Sequence, residues 1–344
     1  MKRIIAALSA LTLIFTLAAC GKGGSSGAAE VRTATVFAMD TFVTFTAYCG
    51  DGTLEKAGRL VTELDAKLSR TKADSDIGKL NASGAAGAEV SAETAELLKE
   101  ALACCAESDG VFDITIAPVT DLWDVNGKTV SGSRPTLPSP AQIADAMLCV
   151  GYKYLTVDGN TAKFAYEGMS CDLGGIAKGY AADKAVELLR TDGVSSALIQ
   201  VGSSVYVMGE KPDGSAYTVG VRDPEGGAND YVGTLALKDK YVTSSGDYER
   251  YFELDGKRYC HIFDTALGSP IDNDLRSVTV VTDSGTRGDY LSTTLFCLGL
   301  ENAMRKCQNE GVSALFITKD RRIYTVGADF DGFTLTSGDY THEK

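Results

Sequence analysis

The stretch Tyr154-Leu155-Thr156-Val157-Asp158-Gly159-Asn160-Thr161-Ala162-Lys163-Phe164-Ala165-Tyr166 reads as two short strand runs, 154–157 and 163–166, parted by a turn. From here onward the same signal recurs, at 197–201, 217–221, 241–244, 250–254 and 278–281, with a late strand at 323–326. Two helical stretches interrupt it, near 175–191 and 288–310. Hairpin-like strand runs with helices between them predict an α+β fold rather than a doubly wound parallel sheet. Upstream, residues 33–48 alternate as a strand through Val36, Met39, Phe42, Val43 and Phe45. Ala57, Leu60, Val61, Leu64 and Leu68 recur at helical spacing along one apolar face. Residues 91–108 repeat that pattern behind a Ser91 cap, and Ser139-Pro140 opens a short helix. A Gly/Ser/Pro loop is expected at 129–138.

The 344 residues suffice for one large domain or two modest ones. The first nineteen differ in kind from the rest. Lys2 and Arg3 precede an apolar run, 4–19, that is short for a membrane span and reads as a signal peptide. It ends Leu17-Ala18-Ala19-Cys20-Gly21, which resembles the lipobox of bacterial lipoproteins, whose cysteine is acylated and becomes the first residue. A plain secretory signal with a chance cysteine is the alternative. Residues 21–29 then supply a Gly/Ser/Ala tether, giving a signal at 1–19, a lipidated Cys20 with tether to 32, and a domain at 33–340. The expected place is the extracytoplasmic face of a cell membrane, held there by lipid.

The formal charge of −13 at pH 7 argues against nucleic acid as a partner and against docking on anionic lipid by charge. Wherever a phosphate binds, that acidity must be overcome locally. Eight cysteines follow Cys20, an even number that invites disulfides outside the cytoplasm. Their spacing is irregular, however, and Cys149 and Cys297 sit in apolar runs, so buried free thiols are an equal reading.

Three constellations could carry chemistry. In Asp172-Leu173-Gly174-Gly175-Ile176-Ala177-Lys178-Gly179 a strand ending near Cys171 meets paired glycines and a helix start. Free amides there and Lys178 suit an anion, though an ordinary strand–turn–helix looks the same. In Asp289-Tyr290-Leu291-Ser292-Thr293, Asp289, Ser292 and Thr293 share a helix face as a hard, all-oxygen partial cage suited to Mg²⁺. An N-capping aspartate with solvated hydroxyls is the commoner origin of such a turn. The third is His261 in Tyr259-Cys260-His261-Ile262-Phe263-Asp264. The other histidine, His342, lies in a polar tail expected to be disordered, so a His-rich zinc site is excluded and His261 is the one candidate titrating near neutrality.

These segments, taken in order with Met39-Asp40-Thr41, Ser69-Arg70, Asp74-Ser75-Asp76-Ile77, Phe112-Asp113-Ile114-Thr115-Ile116-Ala117-Pro118, Val219-Gly220-Val221-Arg222-Asp223-Pro224, Ser244-Ser245-Gly246-Asp247-Tyr248 and Gly268-Ser269-Pro270, resemble the ApbE family of FAD:protein FMN transferases over about 33–335. Each motif is weak alone, but the ordered set is specific. The resemblance implies a T-fold-like α+β domain with antiparallel sheets and FAD, the substrate, in a cleft. Met39, Ala117, Pro118, Val119, Asp172, Lys178 and Phe263 match flavin or nucleotide contacts. Thr71 stands where the family usually carries a tyrosine beside the flavin. Mg²⁺ would be held by the Gly175 carbonyl, Asp289 and Thr293, with Ser292 near or in the shell.

The implied activity is transfer of FMN from FAD to a threonine of another protein, releasing AMP. His261 is the candidate base and Asp289 the competing one. The implied acceptors are flavin subunits of redox pumps and FMN-binding-domain proteins. Other departures are Gly202-Ser203-Ser204 for Gly-Gly-Asn, and Cys260 and Thr265 for the usual His and Pro; none removes a metal ligand. Two rival readings use the same residues: an FAD pyrophosphatase with water as acceptor, and a non-catalytic flavin-binding lipoprotein.

Overall fold

The computed structural model describes residues 30–131, 134–227 and 229–343. The expected signal peptide, Cys20 and most of the expected tether therefore lie outside the described residues. The centre is a nine-stranded sheet whose spatial order follows chain order. Its strands are β1 (Val31–Ala38), β2 (Thr41–Tyr48), β3 (Ala197–Val201), β4 (Ser204–Met208), β5 (Lys240–Gly246), β6 (Leu275–Thr282), β7 (Ser313–Thr318), β8 (Arg322–Val326) and β9 (Thr341–Glu343). Neighbours pair antiparallel except β8 with β9. The α+β expectation holds.

Side chains alternate between two cores. Tyr241, Val278, Val280, Ala314 and Phe316 point into the larger one, and Val242, Val281, Leu315 and Ile317 into the other. Of the helices α1 (Thr53–Leu68), α2 (Ala92–Glu107), α3 (Ala117–Trp123), α4 (Ala177–Thr191) and α5 (Gly285–Glu310), all but α3 close the larger core, while α3 packs with Phe252 and Phe263 in a separate small cluster. The smaller is closed by a three-stranded sheet of Tyr217–Arg222, Tyr231–Leu237 and Thr334–Leu335. Because both faces are covered, β7 is buried along its whole length and shows no polar alternation.

Several expectations change. Residues 33–48 form a hairpin, not one strand, because Met39 and Asp40 turn the chain with φ of 55° and 56°. Both central residues being left-handed matches the two-residue hairpin turn, which usually advertises itself with Asn-Gly. No strand ends at Cys171; instead the Asn81 side chain brackets that residue, accepting its N–H at 2.8 Å and donating to its carbonyl at 2.9 Å. The 129–138 loop is entered by the helix Val125–Ser131. His342 is ordered in β9, with Nε2 3.0 Å from Thr325 Oγ1. All eight described cysteines are free thiols, six of them buried.

Helices α4 and α5 cross in backbone contact. A Cβ on Gly179 would collide with the Gly285 carbonyl oxygen, so only glycine fits at 179. Asp183, one turn along α4, accepts the N–H groups of Gly285 and Thr286 at 2.7 and 2.9 Å and so caps α5. Gly299, at φ 72°, then breaks α5. Gly179→Ala should therefore lower unfolding stability by about 1–3 kcal/mol, measurable as a shifted denaturant midpoint.

Candidate active site

One cleft of about 370 Å³ opens where the β1–β2 turn, the 172–178 loop, β5 and the start of α5 converge. It gathers Met39, Thr71, Asp172, Gly175, Lys178, His261, Phe263, Asp289 and Thr293. Ala117 and Val119 lie fully buried beneath it and Pro118 is half-buried; from this part of the chain Ile116 and Thr120 face the cleft. Their contribution is to the packing of α3, with Val119 against Trp123 and Phe263.

Asp289 is only 4 % exposed. Its Oδ2 accepts the Gly179 N–H at 2.7 Å and its Oδ1 the Ser204 hydroxyl at 3.3 Å, while Lys178 Nζ stands 3.9 Å away. A carboxylate so buried is fixed in direction by these donors. Gly175 lies beside Thr293: a Cβ there would sit 3.6 Å from Thr293 Oγ1 and 2.9 Å from Phe112. Ser292 turns away from the cleft, fully buried, with its hydroxyl 2.8 Å from Ser245 Oγ. Ser245 in turn lies 3.4 Å from Thr293 Oγ1, so Ser292 positions the hydroxyl pair rather than facing the cleft itself.

The helix start is less open to an anion than its sequence suggests. The Gly174 N–H goes to Asp172 Oδ1 at 2.7 Å, Ala177 N–H to the Leu173 carbonyl, and Gly179 N–H to Asp289. Lys178 Nζ donates to the Gly174 carbonyl at 2.6 Å, pinning the loop. Among the lining side chains are Arg70, Lys178 and Arg250, against six carboxyl groups: Asp40, Asp65, Asp113, Asp172, Glu249 and Asp289. A polyphosphate would meet a site acidic on balance, which makes a bound cation the natural complement.

That cation would be hard. Among the described residues no group of three His, Cys, Asp or Glu could hold a metal. One carboxylate, one hydroxyl and a carbonyl instead match Mg²⁺, which keeps water and takes phosphate oxygens.

His261 is partly screened, deep in the cleft wall, and Nδ1 lies 3.2 Å from the Arg250 carbonyl. With Nδ1 donating, Nε2 is left as the proton acceptor. Burial, reinforced by the Arg250 and Lys178 charges, pulls its pKa down to about 4. Arg250 is a residue to which no site role fell from sequence; it also donates to the Asp40 carbonyl at 3.3 Å, tying the hairpin turn to the histidine. Arg70 is the other, bound to Asp121 at 2.6 Å and 3.7 Å from Asp172. Arg70 and Ser245 fall inside quoted motifs, while Arg250 had only the appearance of a strand start. Asp113, whose carboxyl burial pushes up, accepts from Thr115 and from the Tyr152 N–H at 2.8 Å and is structural.

The sequence profile of the ApbE family matches residues 39–316. The chain belongs to the ApbE family. It is 35% identical over 273 residues to an FAD:protein FMN transferase of Klebsiella pneumoniae, covering 77% of this chain and 82% of that one. A Treponema pallidum protein of the same description is 31% identical over 329 residues, covering 88% and 90%. The apo flavinyl transferase ApbE of Pseudomonas stutzeri superposes with a TM-score of 0.77 at 28% identity, covering 90% of this chain and 98% of that one. Its mixed architecture of antiparallel sheet and helices is thus that of known ApbE structures.

A histidine buried neutral in the fold binds its proton less readily than in the unfolded chain. Between the ordinary value of 6.5 and about 4 the unfolded state holds more protons, so stability drains as pH falls through that window. Thermal melts from pH 7 to 4 should show this loss, and His261→Gln should flatten part of it.

Proposed function

We propose that this chain is an FAD:protein FMN transferase, cutting FAD in the cleft and joining the FMN half to a threonine of an acceptor protein. The carrying observation is the convergence of Gly175, Asp289 and Thr293 at the floor of a cleft that also holds Lys178 and His261. Relatives that the chain covers over four fifths or more of their length bear the same description. Gly175, Asp289 and Thr293 would hold Mg²⁺, which when bound neutralises charge building on the pyrophosphate.

This chain's own residues do the rest. Lys178, its Nζ 3.9 Å from Asp289 Oδ2, would face the phosphates, and Phe263, Met39 and Thr71 would wall the flavin end. His261 offers Nε2 to the threonine proton as its oxygen attacks the FMN-side phosphorus; the phosphoanhydride bond breaks and AMP leaves. A histidine with so low a pKa is a weak base, and an anionic diphosphate in the cleft would raise its proton affinity. Asp289, committed to two hydrogen bonds and to the cation, is the poorer base. The lipobox-like Leu17-Ala18-Ala19-Cys20 supports an anchor at Cys20 on the extracytoplasmic face, which would confine enzyme and membrane-borne acceptors to one surface. No helix among the described residues is long and apolar enough to cross a membrane.

Incubated with FAD, Mg²⁺ and an FMN-acceptor domain, the protein should release AMP and leave the acceptor fluorescent in a denaturing gel. AMP with free FMN alone would mean hydrolysis, and no AMP would overturn both enzymatic readings. Asp289→Ala should cut the rate on the order of a thousandfold, and chelation by EDTA should stop it until Mg²⁺ is restored. Cys20→Ser should move the protein from the membrane fraction to the soluble one.

A further inference from the structure

Among the described residues, none covers one face of the β1–β2 hairpin. In its register Thr33 faces Thr46, Thr35 faces Thr44, and Phe37 faces Phe42, all on the side opposite the helices. Phe37 and Phe42 are 64 % and 66 % exposed, yet their rings touch edge to face with centroids 5.4 Å apart. Two large aromatic side chains held together outside a core are a preformed contact surface rather than packing. The threonine hydroxyls pair across the strands at 3.3 and 3.1 Å, so covering them would strand few polar groups. No charged residue lies among these six positions, in a chain of formal charge −13.

This face continues a surface that is covered elsewhere. Following the row across the sheet, Thr44 pairs Gln200, Gln200 pairs Val205, Val205 pairs Val242, and Val242 pairs Val281. From Val205 onward the row lies under the three-stranded sheet. The cover stops short of the hairpin, and there the turn Met39-Asp40-Thr41 passes directly into the cleft wall.

We propose that the outward face of the β1–β2 hairpin, tipped by Phe37 and Phe42, is where the acceptor protein docks, its apolar contact surface set beside the hydroxyl it presents to the cleft. The inference rests on the transferase reading, which requires a macromolecule to deliver a hydroxyl to the cleft. Phe37 and Phe42 flank the turn Met39-Asp40-Thr41, which lines the cleft, so a protein presenting its hydroxyl there has this face beside it. These six positions hold no Lys or Arg to attract anionic lipid. Moreover the pair lies at the far end of β1 from the tether, roughly 20 Å along an extended strand. Aromatic anchors at the centre of a contact carry a disproportionate share of binding energy.

The test compares the full-chain wild type with Phe37→Ser/Phe42→Ser, using FAD, Mg²⁺ and an FMN-acceptor domain, with and without phosphatidylcholine/phosphatidylglycerol vesicles. In both conditions the double variant should raise the KM for the acceptor on the order of tenfold, with FAD affinity (by flavin fluorescence) and kcat at saturating acceptor unchanged. A Leu148→Ser variant, at another exposed apolar position, should leave every parameter as in wild type. Unchanged acceptor KM in the double variant overturns the docking surface while leaving the transferase reading intact. A defect seen only with vesicles assigns the face to lipid and overturns it as well. No transfer by the wild type itself is the distinct failure of the underlying reading.

Discussion

The hydrogen bond from the Gly179 amide to the Asp289 carboxylate joins the two helices on which the cleft depends. It forms because α4 and α5 approach until their backbones touch, which only glycines at 179 and 285 allow. Asp183 strengthens the same crossing by capping α5. The 172–178 loop and the first turns of α5 are thereby fixed as one unit, and a buried carboxylate is aimed at a loop some 110 positions earlier in the chain. Displacing either helix would move Asp289 relative to Gly175 and disperse the oxygen set. Fold stability and site geometry are here one constraint.

A second constraint is electrostatic. The protein is acidic, and so is its cleft on balance, which would repel a nucleotide diphosphate without assistance. Lys178 and Arg250 supply positive charge near His261 and, together with burial, hold its imidazole neutral. The same arrangement that would welcome phosphates thus keeps the histidine free to accept a proton. In the proposed mechanism, substrate charge and the base strength of His261 would be coupled through the cleft rather than set independently.

Much of the local structure was legible. The α1 and α2 faces, the Ser91 cap, the Ser139-Pro140 start and the strand at 197–201 follow from periodicity and capping chemistry, which are local properties. What escaped was governed by partners distant in sequence. The Met39-Asp40 turn lacks glycine and is tied from outside by Arg250. The stretch at Cys171 looks like a strand but is held by Asn81. The tail at His342 is polar in composition, yet pairs with β8 and packs on Phe333. Strand β7, buried on both faces, has no alternation to read.

Within the site, the sequence by itself determined the donor types: one carboxylate and two hydroxyls on a helix turn, paired glycines before another helix, and a lone central histidine. Their ordered spacing also determined the family, and the first twenty residues the expectation of export and lipid attachment. Only the tertiary structure decided which of those groups face a common cleft. It turned Ser292 inward to Ser245, spent the helix-start amides on Asp172, Leu173 and Asp289, and sank Ala117 and Val119 beneath the floor. The reason is physical: helical and strand periods are set by neighbours along the chain, whereas the direction of a side chain relative to a cleft is set by how two elements pack.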